Sequence, residues 1–212
     1  MGKVTSVQFS PNGDYIASGD DKGKVKIWSY DEASKAFIVK KEHQMLAGPV
    51  HALTWTEDGQ RLAAGGEGKD MLAKAVLADS GTKIGDLFGP SKTVLSVDLK
   101  PKPYRLVLSG ENNEVYVFDG VPFKHAKTIN QHTNFVNKVA FRPTDGAVFV
   151  TVSSDKSIIL HDSESLEVIR KIEKAHNKGI MDVNWVDSST IATSSTDNEI
   201  KFWNIETGSE IR

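Results

Sequence analysis

The chain has no cysteine, which excludes a disulfide framework, a thiol nucleophile and any thiolate metal site. It also lacks a charge excess. Across 212 residues, 26 Lys plus Arg face 28 Asp plus Glu, a formal net charge of −2. Neither nucleic acid nor an anionic membrane would meet a basic field. No apolar run approaches the roughly 18 residues that span a bilayer, and no helical periodicity persists over three turns. There is no signal-peptide pattern and no Asn-X-Ser/Thr sequon, so a cytoplasmic protein is expected. The start MGKVTS fits an N-myristoylation pattern, Gly2 followed by Ser6, but Val4 to Ser6 read as the start of a strand.

Motifs of chemistry are equally scarce. The sequence holds no Gly-X-Ser-X-Gly elbow, no phosphate loop and no HEXXH helix, so no catalytic activity is expected. Gly65-Gly66-Glu67-Gly68 is glycine-rich but sits among strands, where a turn outweighs a phosphate cradle. The six histidines, at 43, 51, 125, 132, 161 and 176, never pair at a three- or four-residue spacing, so no metal site is expected. A glycosidase would need two carboxylates about 5–10 Å apart. The first strands offer only Asp98 and Asp182, at non-equivalent positions of their repeats. No cofactor and no small-molecule substrate are expected.

What the chain does have is repetition. Five segments share one cadence: VTSVQFS, VHALTWT, VLSVDLK, VNKVAFR and IMDVNWV. Their anchor pairs are Val7/Phe9, Leu53/Trp55, Val97/Leu99, Val139/Phe141 and Val183/Trp185, stepping by 46, 44, 42 and 44 residues. Each alternating strand is followed by a turn, such as Pro11-Asn12-Gly13 or Thr144-Asp145-Gly146, then by a second strand, another tight turn and a third. A more polar fourth strand closes most units. Four short antiparallel strands every 40–45 residues or so predict an all-β chain of about five four-stranded propeller blades. The expected repeats run over about 4–46, 47–90, 91–132, 133–176 and 177–212 of one segment, 1–212. Each blade is apolar on its stacking sides and is stable only against neighbours.

The third strands and the turns before them resemble the WD-repeat family. That family often cross-links a blade through His, Ser or Thr, Asp and Trp. The fifth repeat has all four, His176, Thr193, Asp197 and Trp203, and the fourth has His132, Thr151 and Asp155 with His161 at the Trp position. A turn Asp needs donors, and a buried His, a hydroxyl and an indole N–H complete such a network. The other repeats depart from the pattern. The first has Lys22 at the turn-Asp position, the third has Asn112 there and Leu108 for the hydroxyl, and the second lacks the aromatic.

A narrower resemblance covers essentially the whole chain. YIASGDDKGKVKIW, LAGPVHALTWTEDGQRLAAGGEGKD, SVDLKPKPYRL, GVPFKHAKTI and HTNFVN resemble the actin-interacting protein 1 family, in order and at matching spacing. Members of that family carry two seven-bladed propellers, so the resemblance implies an incomplete part of the N-terminal ring. It further implies a non-catalytic role at the cytoskeleton: binding actin filaments and cooperating with cofilin in their disassembly. A generic WD-repeat scaffold for another partner is the alternative. Carried over residue by residue, the implied actin/cofilin contacts are Asp70, Glu111, Lys124, His125 and Phe135. Asp70 stands where relatives carry Glu, and His125 where Phe is usual. Phe135 also has a core reading, packed on its own blade's first strand.

Overall fold

The computed structural model describes residues 2–211; Met1 and Arg212, the outer limits of the expected segment, lie outside them. The described residues form nineteen strands and no helix. The first blade is β1 (Val4–Phe9), β2 (Tyr15–Asp20), β3 (Lys24–Asp31) and β4 (Ala36–Gln44). The second is β5 (Val50–Trp55), β6 (Arg61–Gly66) and β7 (Ala73–Leu77). The third is β8 (Val94–Lys100), β9 (Arg105–Gly110), β10 (Val115–Asp119) and β11 (Lys124–Ile129). β12 (Val136–Phe141), β13 (Val148–Ser153), β14 (Ile158–Asp162) and β15 (Val168–Ile172) make the fourth. β16 (Ile180–Trp185), β17 (Thr190–Ser195), β18 (Ile200–Asn204) and β19 (Ser209–Glu210) make the fifth. In every sheet, spatial order follows chain order, as for WD-type propeller blades.

The second blade's fourth strand is vestigial. Ile84 N–H donates to Ala75 O at 2.9 Å and Leu77 N–H to Thr82 O at 2.8 Å, and Val76 pairs with Lys83 as an isolated bridge. The glycine at 81 and the short polar run after it leave no alternating strand for the sequence pattern to detect.

The chain divides into two compact units. One holds residues up to Leu108 with Tyr116–Thr128; the other holds Ser109–Val115 and everything from Ile129 on. In the first unit, Ala17, Val25 and Ile27 of the first blade bury against Leu53, Trp55 and Leu62 of the second. In the second unit, Val150, Ile158 and Leu160 of the fourth blade bury against Val183, Ile191 and Trp203 of the fifth. Period-2 alternation explains this: one face of each strand meets the preceding blade and the other the following one.

Two hydrogen bonds stitch such neighbours together in both units. The first strand of four blades carries a register shift, at Val4/Ser6, Val50/Ala52, Val136/Lys138 and Ile180/Asp182. A bulge re-aims the extra side chain. Thr5 Oγ1 donates to Val50 O at 2.6 Å, and Asn137 Nδ2 donates to Ile180 O at 2.6 Å. From the far end of the next strand, Trp55 Nε1 donates to Gln8 O at 3.3 Å and Trp185 Nε1 to Ala140 O at 3.1 Å. Trp185→Phe keeps the ring and deletes that bond. It should cost about 0.5–1 kcal/mol, lowering the thermal midpoint by about 1–4 °C; an unchanged midpoint would show that the stitch contributes nothing.

Candidate functional site

The fourth and fifth blades each hold a buried polar chain that fixes a loop. In the fifth, His176 Nδ1 lies 3.0 Å from Asp197 Oδ2 and Nε2 lies 2.8 Å from Thr193 Oγ1. Trp203 Nε1 donates to the same hydroxyl at 2.9 Å. One assignment satisfies every group: Nδ1–H donates to the carboxylate, Nε2 accepts from the hydroxyl, and the hydroxyl oxygen accepts the indole N–H. Asn177 N–H and Glu199 N–H also donate to Asp197. The connection into β16 is thereby tied to the β17–β18 turn.

The fourth blade repeats the chain. His132 reaches Asp155 Oδ2 at 2.9 Å and Thr151 Oγ1 at 2.8 Å. His161 takes the Trp place, with Nε2 3.2 Å from Thr151 Oγ1 and its ring stacked 4.7 Å from Phe149. The first blade retains only the outer half, Trp28 Nε1 donating to Ser18 Oγ at 2.8 Å. Its Lys22 side chain does not replace the turn Asp. Asp20 does, because its Oδ1 accepts both Lys22 N–H and Lys24 N–H. In the fourth blade those two roles fall to Ser153 Oγ, which accepts Asp155 N–H, and Asp155, which accepts Ser157 N–H. Sequence alignment on the turn position alone misses Asp20, which lies two residues upstream.

These networks make the turn carboxyls more acidic. Burial pushes the Asp155 carboxyl up, but hydrogen bonds from His132, Ser157 and Thr133 N–H outweigh it and hold it far below the usual carboxylate range. Asp197 behaves alike: burial opposes its charge, and the Asn177 and Glu199 amides with His176 overcome it. In the first unit, burial at Asp58 is outweighed by Thr56, Gln60 N–H, Tyr104 and Arg61, lowering it to about 2. Folded-state values below the unfolded value of about 3.9 add stability that is complete well above it. That stability is lost as pH falls from about 5 toward 2. The midpoint of Asp155→Asn should therefore fall less than that of the unsubstituted chain over this range; parallel curves would contradict the assignment.

The rigid connections present the contact candidates. Phe135 follows the His132 segment, and its carbonyl accepts Ser154 N–H at 2.9 Å. Its side chain is 40% exposed, so the core reading fails. Glu111 is half-buried in the β9–β10 turn, which belongs to the same unit. Asn113 Nδ2 of that turn donates to Thr133 O at 3.5 Å, bringing the Glu111 turn beside the Phe135 connection. The other three candidates belong to the first unit. Asp70 is exposed in the β6–β7 loop. Lys124 and His125 are exposed at the start of β11, with His125 Nε2 2.9 Å from Thr128 Oγ1 and its ring edge-on to Phe118 at 5.6 Å.

Other chemistry finds local explanations. A Cβ on Gly66 would come within 2.0 Å of Pro49 O, and one on Gly68 within 2.2 Å of Met71 O, so packing demands both glycines. Asp98 and Asp182 each accept the next residue's N–H at 2.9 Å. His176, Asp197 and Glu199 lie close enough to share a cation, but both ring nitrogens of His176 already have partners in the network above.

Repeated antiparallel blades with buried His–Asp–hydroxyl chains define the chain as built of WD-type β-propeller blades. The family described as "WD domain, G-beta repeat" matches residues 1–29, 123–162 and 167–204, and the chain belongs to this WD40 family. It is similar to WD repeat-containing protein 1 of Gallus gallus, 39% identical over 99% of this chain and 34% of that protein. Against actin-interacting protein 1 of Drosophila melanogaster, identity is 36% over 96% of this chain and 33% of the relative. Actin-interacting protein 1-2 of Arabidopsis thaliana is 42% identical over 80% of this chain and 27% of its own length. The chain spans about a third of the length of these relatives.

Proposed function

We propose that this chain is a non-catalytic actin-filament-binding module that cooperates with cofilin in filament disassembly, acting in the cytoplasm at the cytoskeleton. The observation carrying this reading is the likeness to proteins named for interaction with actin, running over nearly the whole chain. The contacts are Glu111 and Phe135 on one unit and Asp70, Lys124 and His125 on the other. Exposed charges fix orientation and steer encounter more than they add affinity, whereas Phe135 supplies the apolar anchor that hot spots favour.

Disassembly without chemistry requires differential binding. The module must hold cofilin-decorated or severed ends more tightly than intact filament, because a ligand shifts an equilibrium only through a difference in affinity. The test is the filament mass remaining over time with cofilin, with and without the chain. Faster loss only when both are present supports the reading. Loss identical to that with cofilin alone returns the chain to the generic scaffold reading with another partner.

A further inference from the structure

The outer groove between neighbouring blades is closed in one unit and open in the other. Between the fourth and fifth blades, Arg170 of β15 lies across the junction. Its Nε donates to Ile205 O at 3.2 Å and its Nη2 to Glu206 O at 2.6 Å. With Leu160, Ile172 and Ile205 it leaves a void of only about 10 Å³. The same junction between the first and second blades holds a groove of about 1070 Å³. Both of its walls are formed within the first unit.

Two substitutions explain the difference. Leu160 pairs with Arg170 as Ile27 pairs with Lys41, so Lys41 is the counterpart of Arg170. Ala78 N–H donates to Gln60 O as Ile205 N–H donates to Ser189 O, both at 2.9 Å. Ala78 therefore stands for Ile205, and Asp79 for Glu206. The exposed Lys41 carries a single ammonium where the half-buried Arg170 carries a fork of donors, and Ala78 lacks the bulk of Ile205. Ala78 O takes His43 Nε2 at 2.8 Å instead of a guanidinium. The open groove is amphipathic. Ile27, Trp55 and Leu77 line it, and Tyr15, 36% exposed, stacks on Trp55 with 6.4 Å between ring centroids. The second blade contributes Asp58 and Asp79, the first Lys40 and Lys41. Asp58 is engaged by Arg61 Nη1 at 2.7 Å and Tyr104 Oη at 3.2 Å, whereas Asp79 is exposed.

We propose that this groove binds an arginine-bearing peptide segment of a partner protein, its guanidinium taking the place that Arg170 takes in the other junction. The chemistry of the occupant is argued from the chain itself, because the equivalent groove is filled by an arginine side chain. A guanidinium there would meet the carboxylate and carbonyl of Asp79 and stack on Tyr15. The volume exceeds one side chain, so the residues flanking the arginine lie over Ile27, Trp55 and Leu77, as apolar-lined sites with few polar groups favour. Lys40 and Lys41 orient the segment by pairing with an acidic residue beside it. None of the five filament-contact candidates lines the groove, so this inference stands independently of the filament reading.

Fluorescence anisotropy of a labelled, end-blocked Ala-Leu-Arg-Leu-Glu peptide, titrated with the chain, tests this. Binding should saturate. Replacing the peptide's arginine with alanine should weaken it at least about tenfold, and replacing it with lysine should weaken it several-fold, since an ammonium cannot bridge two acceptors in one plane. The double variant Lys41→Arg, Ala78→Ile rebuilds the closed junction and should lose at least about tenfold in affinity, with an unchanged circular dichroism spectrum. Asp79→Ala alters an exposed side chain and so keeps the fold. It should weaken the arginine peptide and leave the alanine peptide unaffected. No saturable binding to the unsubstituted chain, equal affinity for the arginine and alanine peptides, or full affinity in either variant overturns the proposal.

Discussion

Asp155→Ala is expected to lower the thermal midpoint by roughly 6–12 °C, corresponding to about 3 kcal/mol in a chain of this size. The carboxylate accepts from His132 Nδ1, Thr133 N–H, Ser157 N–H and Ser157 Oγ at 2.6–2.9 Å, with its side chain 8% exposed. Removing it strands several donors where water does not reach, and an unsatisfied buried donor costs more than the bond itself contributed. Asp197→Ala should act in the same direction, since the fifth blade repeats the network. Lys22→Ala, at the equivalent turn position of the first blade, should change the midpoint by less than about 0.5 kcal/mol equivalent. There the carboxylate belongs to Asp20 and Lys22 contributes only backbone groups, its N–H donating to Asp20 and its carbonyl accepting from Gln44 Nε2. Equal losses at Asp155 and Lys22 would refute the account of the turns.

That contrast shows what the sequence reveals and what it hides. The networks were legible because they are local in period: Thr to Asp is four residues and Asp to the aromatic position six in both complete blades. Substitution of His161 for Trp was visible as well, although its stacking on Phe149 depends on packing. Asp20 was not legible, because one carboxylate there does the work shared elsewhere by a serine and an aspartate two residues apart. Nor were the inter-blade stitches. Trp55 and Trp185 read only as large apolar strand residues, and their acceptors are backbone carbonyls more than forty residues away. Backbone acceptors leave no residue-type signature. The contact candidates were reached through resemblance alone, since an exposed Glu or Lys on a turn carries no pattern of its own.

Glu111→Lys is expected to weaken binding to cofilin-decorated filaments by tenfold or more, about 1.4 kcal/mol, with an unchanged circular dichroism spectrum. The side chain is half-buried at the surface, and reversing a charge that faces a complementary one adds repulsion to the lost attraction. Because Asn113 ties this turn to the Phe135 connection, Phe135→Ala should weaken the same binding, through lost apolar area instead of charge. The two variants separate by salt: the loss from Glu111→Lys shrinks as ionic strength rises, and the loss from Phe135→Ala does not.

Co-sedimentation of the chain with bare filaments and with cofilin-decorated filaments, run in parallel, bears on the proposed function most directly. The account predicts that the chain pellets with decorated filaments at concentrations where it stays in the supernatant with bare ones. Equal pelleting with both, or with neither, would contradict it.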